Sequence, residues 1–174
     1  MRQMCTDSQI RFIWLSTERR GKDSLVLRWL SMNGYMPVSK TDDWATPRIL
    51  FDELDSIYEF TFDAAASSQN RLCDKWAGLD HEDDSLKDGL KASWANEIVW
   101  CNPPYGRQIK DWVKKAHMES ANAKIVMLLP ARTDTAWFHD YAIMHKVTFI
   151  RGRLKFGEHR ASAPFPSIIV EMGI

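Results

Sequence analysis

Asn102-Pro-Pro-Tyr105, with Gly106 behind it, is a run whose residue types suit one kind of chemistry. An exocyclic amine on a nucleobase is a weak nucleophile, because its lone pair is delocalised into the ring. To attack an electrophilic methyl group its nitrogen must move toward sp³ character, and acceptors on both N–H groups favour that change. The side-chain oxygen of Asn102 can take one N–H and the backbone carbonyl of Pro103 the other. The prolines remove a competing backbone donor and fix φ, so the carbonyl stays aimed. Tyr105 offers an aromatic face to a base withdrawn from a duplex, as base-modifying enzymes require. Gly106 permits a turn out of the site. No covalent intermediate or strong general base is needed; most of the rate comes from holding nucleophile, methyl carbon and leaving group in line. Read alone, the four residues are equally a turn, since Asn-Pro and Pro-Pro are common loop dipeptides.

Their setting separates the two readings. Ile98-Val-Trp-Cys101 is a short apolar strand that runs straight into Asn102, and ligands of open α/β sheets bind at the carboxyl ends of strands. Behind the run, Ile109, Trp112, Val113 and Ala116 fall at helical spacing and predict a helix over 107–121. Upstream, Thr46 is expected as an N-cap with Pro47 at the first helical position, and Ile49, Leu50, Leu54 and Ile57 as the apolar face. Residues 59–63 alternate polar and apolar and predict a strand ending at Asp63. Residues 67–96 are polar and broken, which predicts loops and short elements. Ile125-Val-Met-Leu-Leu129, closed by Pro130, has the continuous apolar character of a strand buried on both faces. A helix capped by Thr133 or Asp134 and carrying Trp137, Phe138 and Tyr141 follows, then strands at 146–150 and 167–171. This alternation predicts an α/β fold with an open, mostly parallel sheet. The first 38 residues are poorly patterned, with a possible strand at 11–15 and helix at 22–30, and are expected to be an extension to a domain at 39–174. One reading places the natural start at Met36.

With 174 residues, 45% hydrophobic and 26% charged, the composition is that of a globular domain with one core. No apolar run has the length of a membrane span, and the opening residues lack the pattern of a secretory signal, so a cytoplasmic protein is expected. Cys5, Cys73 and Cys101 are odd in number and far apart, which argues against disulfides and zinc; Cys101 is expected to be a buried structural thiol. The histidines show no metal spacing, so no metal is expected. Net charge is zero but unevenly spread: residues 1–40 carry +4, 41–99 carry −9 and 100–174 carry +5. Phosphate binding depends on where positive charge gathers rather than on the sum.

Several stretches, in order, resemble the phage N6-adenine methyltransferase family, often called Dam-type, among the amino-methyltransferases with an Asn/Asp-Pro-Pro-Tyr signature. They are Asp43-Trp-Ala-Thr-Pro47, Phe62-Asp-Ala-Ala-Ala66, Asp83-Asp-Ser-Leu86, Trp100 to Gly106, Leu129-Pro-Ala-Arg-Thr-Asp134, Arg151-Gly-Arg-Leu-Lys-Phe156 and Ser162-Ala-Pro-Phe-Pro-Ser167. The resemblance implies a Rossmann-like methyltransferase sheet, S-adenosylmethionine as cofactor and adenine in DNA as substrate. It places Asn102, Pro103, Pro104 and Tyr105 as the catalytic set. It sets Trp44, Thr46 and Pro47 over the methionine part of the cofactor, Asp63 and Ala64 at the first-strand motif, and Asp84 near the cofactor's adenine. Phe156 is implied as a loop aromatic that contacts the flipped base. Two departures stand out. The usual glycine-rich first-strand loop is replaced by Asp63-Ala-Ala-Ala66, and only 39 positions separate Asp63 from Asn102. That is too few for two full strand–helix units, so the cofactor wall is expected to be abbreviated.

For DNA phosphates the candidates are Arg107 with Lys110, Lys114 and Lys115 on one helix, Arg132 after the buried strand, and the cluster Arg151, Arg153 and Lys155. Trp76, Trp94 and Trp100 are expected in the core. Two alternative functions stay open on the residues alone: an N-methyltransferase acting on RNA or protein, and a DNA-binding relative without catalysis.

Overall fold

A computed structural model describes residues 44–156 and 162–173. The expected strand at 11–15, helix at 22–30 and domain boundary at 38/39 lie outside the described residues. The described chain runs α1 (Arg48–Tyr58), β1 (Phe62–Asp63), β2 (Lys75–Trp76), a 3₁₀ turn (Asp84–Leu86), β3 (Ile98–Cys101), α2 (Ile109–Glu119), β4 (Lys124–Pro130), α3 (Ala136–Asp140), a 3₁₀ turn (Ala142–Met144), β5 (Lys146–Phe149) and β6 (Ser167–Met172). The six strands form one sheet in the order β2-β1-β3-β4-β6-β5. The pairs β2–β1, β1–β3 and β3–β4 are parallel. β6 inserts antiparallel between β4 and β5. The fold is thus α/β with a mostly parallel sheet, as the alternation of patterns predicts.

Burial explains which strands are central. Ile125 to Leu129 are fully buried, because β4 has β3 on one side and β6 on the other. β5 forms an edge and leaves Phe149 62% exposed. β1 is shorter than the predicted 59–63, since Glu59 turns left-handed (φ 57°) to end α1. Between β1 and β3 the chain makes only the two-residue β2 and one 3₁₀ turn.

Two expectations for α1 are corrected. Of the expected apolar face, Leu50 and Leu54 pack against the core, but Ile49 and Ile57 are 76% and 70% exposed and Phe51, 2% exposed, is the side chain the helix buries. Phe51 meets Phe60 and Trp100 with ring centroids 5.5 and 5.7 Å apart, and Tyr58 stacks on Phe60. Large flat rings remove more apolar area from water than the two isoleucines, so they set the helix's rotation. Thr46 is not the N-cap either. Pro47 holds that position, extended at φ −62° and ψ 123°, without a side-chain cap, and the Thr46 hydroxyl is used elsewhere. The α3 cap is likewise Thr135 rather than Thr133 or Asp134, its hydroxyl donating to the Arg132 carbonyl. α2 is shorter than predicted, starting at Ile109, but buries Ile109, Trp112, Val113 and Ala116.

Candidate active site

At the carboxyl ends of β1 and β3 lies a cavity of about 790 Å³, a size usual for small-molecule sites. Its wall comes from five places: Trp44 to Thr46 before α1; Asp63 at the end of β1 with Ala65 and Ala66 after it; Gly78 to Asp80 after β2; Lys87 to Leu90; and Asn102 to Pro104, with Gln108 and Trp112 behind them. The parallel pairing β1–β3 puts Asp63 level with Trp100, so the first-strand acid and the Asn-Pro-Pro run open onto the same space.

Asn102 is held at every polar atom. Its Nδ2 donates to the Trp44 carbonyl at 2.5 Å and to Thr46 Oγ1 at 3.0 Å. Its Oδ1 accepts from the Tyr105 hydroxyl at 2.8 Å. The amide cannot be turned over, because that would press two carbonyl oxygens together at Trp44. Both amide hydrogens are therefore committed, and what remains is one lone pair on Oδ1. Toward a ligand, Asn102 is an acceptor only.

Tyr105 is a correction to the sequence reading. It offers no open face: it is 2% exposed, its ring edge-on to Phe156 and Phe165 at 6.1 and 5.5 Å. Burial pushes its phenol well above the ordinary range, so it stays an O–H donor. Phe156, expected to touch a flipped base, is also fully buried, packed against Trp44 and Phe165. Burying these rings together gains more than exposing either to solvent.

Asp63 is 3% exposed and lines the cavity. Burial raises its carboxyl to about 6, against the opposing hydrogen bonds from the Leu72 and Ala65 amides, at 3.1 and 3.4 Å. A carboxyl poised this close to neutrality at a cavity wall marks a functional candidate. Ala64 beside it is buried and bonds through its N–H to the Trp100 carbonyl; Ala65 and Ala66 are the alanines that reach the cavity.

Asp84, expected near the cofactor, is exposed and paired with Lys87 at 2.5 Å, outside the cavity wall. Asp80 and Asp88 line the cavity instead. Sequence reasoning passed over them because acids crowd this stretch and no periodicity orders them. Asp80 is fixed by the Ser68 hydroxyl and amide, which hold its carboxyl below the usual range. The signal that marks the wall is glycine: a Cβ on Gly78 would lie 1.8 Å from the Ala66 carbonyl oxygen and one on Gly89 1.9 Å from that of Ala64. Pro47 stands outside the wall, at the start of α1. Arg107, Arg151, Arg153 and Lys155 are exposed and Arg132 is half-buried; none lines the cavity. Cys101 is fully buried, and burial pushes its thiol up. Among the described residues no group of three or more His, Cys, Asp or Glu is placed to hold a metal ion, and no helix is long and apolar enough to cross a membrane.

Comparison with known proteins gives two findings. A family model described as DNA N-6-adenine-methyltransferase (Dam) matches residues 33–168. The DNA N-6-adenine-methyltransferase of Escherichia phage T1 is 42% identical over 106 residues, which cover 59% of this chain and 41% of that protein. The match thus spans about two fifths of the relative's length.

Proposed function

Because the chain belongs to the DNA N-6-adenine-methyltransferase (Dam) family, we propose that it transfers a methyl group from S-adenosylmethionine to the N6 amine of adenine in DNA, the base turned out of the helix into the cavity. The observation that carries this reading is the state of Asn102. With both amide hydrogens committed to Trp44 and Thr46, it can only accept, which suits an NH₂ group and repels a carbonyl. Pro103 adds a backbone carbonyl with no N–H of its own. Adenine N6, with two donors beside an acceptor ring nitrogen, matches that pair.

The cavity residues fit the cofactor. Asp63, at the end of β1, supplies an anion for a cationic or donor group, and Asp80 and Asp88 supply further acceptors beside Trp112. When bound, S-adenosylmethionine provides a methyl group on a positively charged sulfur. We read the sheet accordingly as a Rossmann-like methyltransferase sheet with an abbreviated cofactor wall between β1 and β3, carried by a domain at 39–174 in a cytoplasmic protein. Arg107, Arg132, Arg151, Arg153 and Lys155 stand outside the cavity, where DNA phosphates would run.

Incubation with cofactor labelled on the methyl group and separate DNA, RNA and protein tests the assignment. Label in DNA as N6-methyladenine is the expected result. Label confined to RNA or protein refutes it, and binding without transfer to any of them identifies a non-catalytic relative.

A pH dependence follows from Asp63. Its carboxyl ionises at about 6 in the folded protein, against an ordinary 3.8. The buried anion is therefore a penalty to the fold that is absent below the ordinary value and complete above about 6. A cationic ligand reverses that preference, so cofactor affinity should rise with pH through this window, by about tenfold for each unit the ligand lowers the pKa. Calorimetric titration at pH 5 and 7.5 should show the rise in the wild type and its loss in Asp63→Asn. An unchanged profile in that variant removes Asp63 from the cofactor site.

A further inference from the structure

We propose that Thr46 is a positioning residue for Asn102: its hydroxyl, with the Trp44 carbonyl, decides which end of the Asn102 amide faces the cavity. This rests on the reading of Asn102 as the amine's acceptor. The geometry differs from that of a cap or a ligand contact. Thr46 stands two residues before α1 yet leaves that helix uncapped, and its Oγ1 accepts from Asn102 Nδ2 at 3.0 Å. The bond links positions 56 residues apart, joining the segment before α1 to the end of β3.

An amide with one hydrogen uncommitted is held with Oδ1 in the cavity less firmly than one with both hydrogens bound. Without the Thr46 hydroxyl, the second Nδ2 hydrogen is left with no acceptor. Rotation about χ2 would let it seek one, including in the cavity, where an amino group meets the substrate amine donor to donor. Two groups oppose this rotation from different sides. The Trp44 carbonyl holds the first hydrogen, and the Tyr105 hydroxyl donates to Oδ1 while also lying 3.2 Å from the Leu128 carbonyl. Tyr105 has one proton for two acceptors, so its hold on Oδ1 is shared. Thr46 has no such division, and its hydroxyl hydrogen remains available to another partner while its oxygen accepts.

The segment 44–46 also walls the cavity. Thr46 is thus placed for either of two roles, cofactor contact and amide positioning, and they separate in kinetics. A contact affects binding; positioning affects the chemical step.

The test compares Thr46→Val, isosteric but without the acceptor, with Thr46→Ser, which keeps it. Asn102→Ala serves as the reference, and all are made in the full chain. Methyl transfer to DNA, cofactor Kd by calorimetry and melting temperature are measured for each. Thr46→Val should lower kcat by about 10- to 100-fold, the range from a missing hydrogen bond to a misplaced catalytic group. Cofactor Kd should stay within about threefold, and Thr46→Ser should restore most of the wild-type kcat. A Thr46→Val enzyme with wild-type kcat, or one whose cofactor Kd weakens by the same factor as its rate, overturns the proposal. So does failure of Thr46→Ser to recover while its melting temperature matches the wild type. If Asn102→Ala itself keeps near-normal turnover, the amine-acceptor reading fails instead, and the two failures are told apart.

Discussion

Replacing Asn102 by alanine is expected to lower methyl transfer by about 10²- to 10³-fold, the effect of deleting one fixed polar group at a reacting centre, while cofactor Kd changes little. The loss should fall on kcat, because an acceptor that strengthens as the nitrogen becomes tetrahedral acts mainly in the transition state. Aspartate is no conservative substitute in this chain. It would place a carboxylate oxygen where Nδ2 now sits, 2.5 Å from the Trp44 carbonyl, and the repulsion would move the side chain or the segment 44–46. Asn102→Asp should therefore remain well below wild type although it keeps acceptor oxygens. Single-turnover transfer to DNA together with calorimetric cofactor binding checks both variants. Turnover within a few-fold of wild type for the alanine enzyme would show that another group holds the amine.

How much of this was legible in the sequence depends on the range of the interaction. The strand into Asn102 and the helix behind it follow from local periodicity, and β3 and α2 stand where Ile98–Cys101 and Ile109–Ala116 predict them. The acceptor role could be argued from Asn102 and Pro103 alone. What fixes Asn102 could not, because Thr46 and Trp44 reach it across 56 and 58 positions, and no local pattern encodes a contact of that span. The same limit explains Tyr105 and Phe156. An aromatic in a loop motif reads as a stacking face until the fold shows Phe165 against both rings, the two rings against each other, and Trp44 against Phe156. Asp84 failed differently. In the acid-rich stretch 80–88, Asp80 and Asp88 line the cavity while Asp84 pairs with Lys87 outside it, a choice that composition alone does not rank.

Gly89→Ala should be a strongly damaging small substitution at the cavity. Gly89 is buried, its carbonyl accepts from Trp94 Nε1 at 3.0 Å, and an added Cβ would lie 1.9 Å from the Ala64 carbonyl oxygen and 2.7 Å from the Trp112 ring. The first obstacle is backbone just after β1, and Ala64 is itself tied through its N–H to the Trp100 carbonyl at 3.0 Å. Neither side yields cheaply, so the methyl group must push the 88–90 loop away from β1. Overpacking of this kind costs about 1–3 kcal/mol, and the upper end is expected where the clash is with backbone. For a chain of this size that is a fall in melting temperature of roughly 6–12 °C. The displacement also moves Asp88 and Leu90 from the wall they share with Asp63, so cofactor affinity should drop by about tenfold for each 1.4 kcal/mol of binding energy that the displaced wall no longer supplies. Gly152→Ala is the control. Its Cβ would meet nothing within 4 Å, but φ of +88° strains any side chain there, so it should cost about 1 kcal/mol and leave cofactor binding unchanged. Thermal melts and calorimetry on the two variants separate a wall set by close backbone approach from a merely flexible loop. A Gly89→Ala protein that melts and binds like the wild type would mean that the 88–90 segment stands further from β1 than this packing allows.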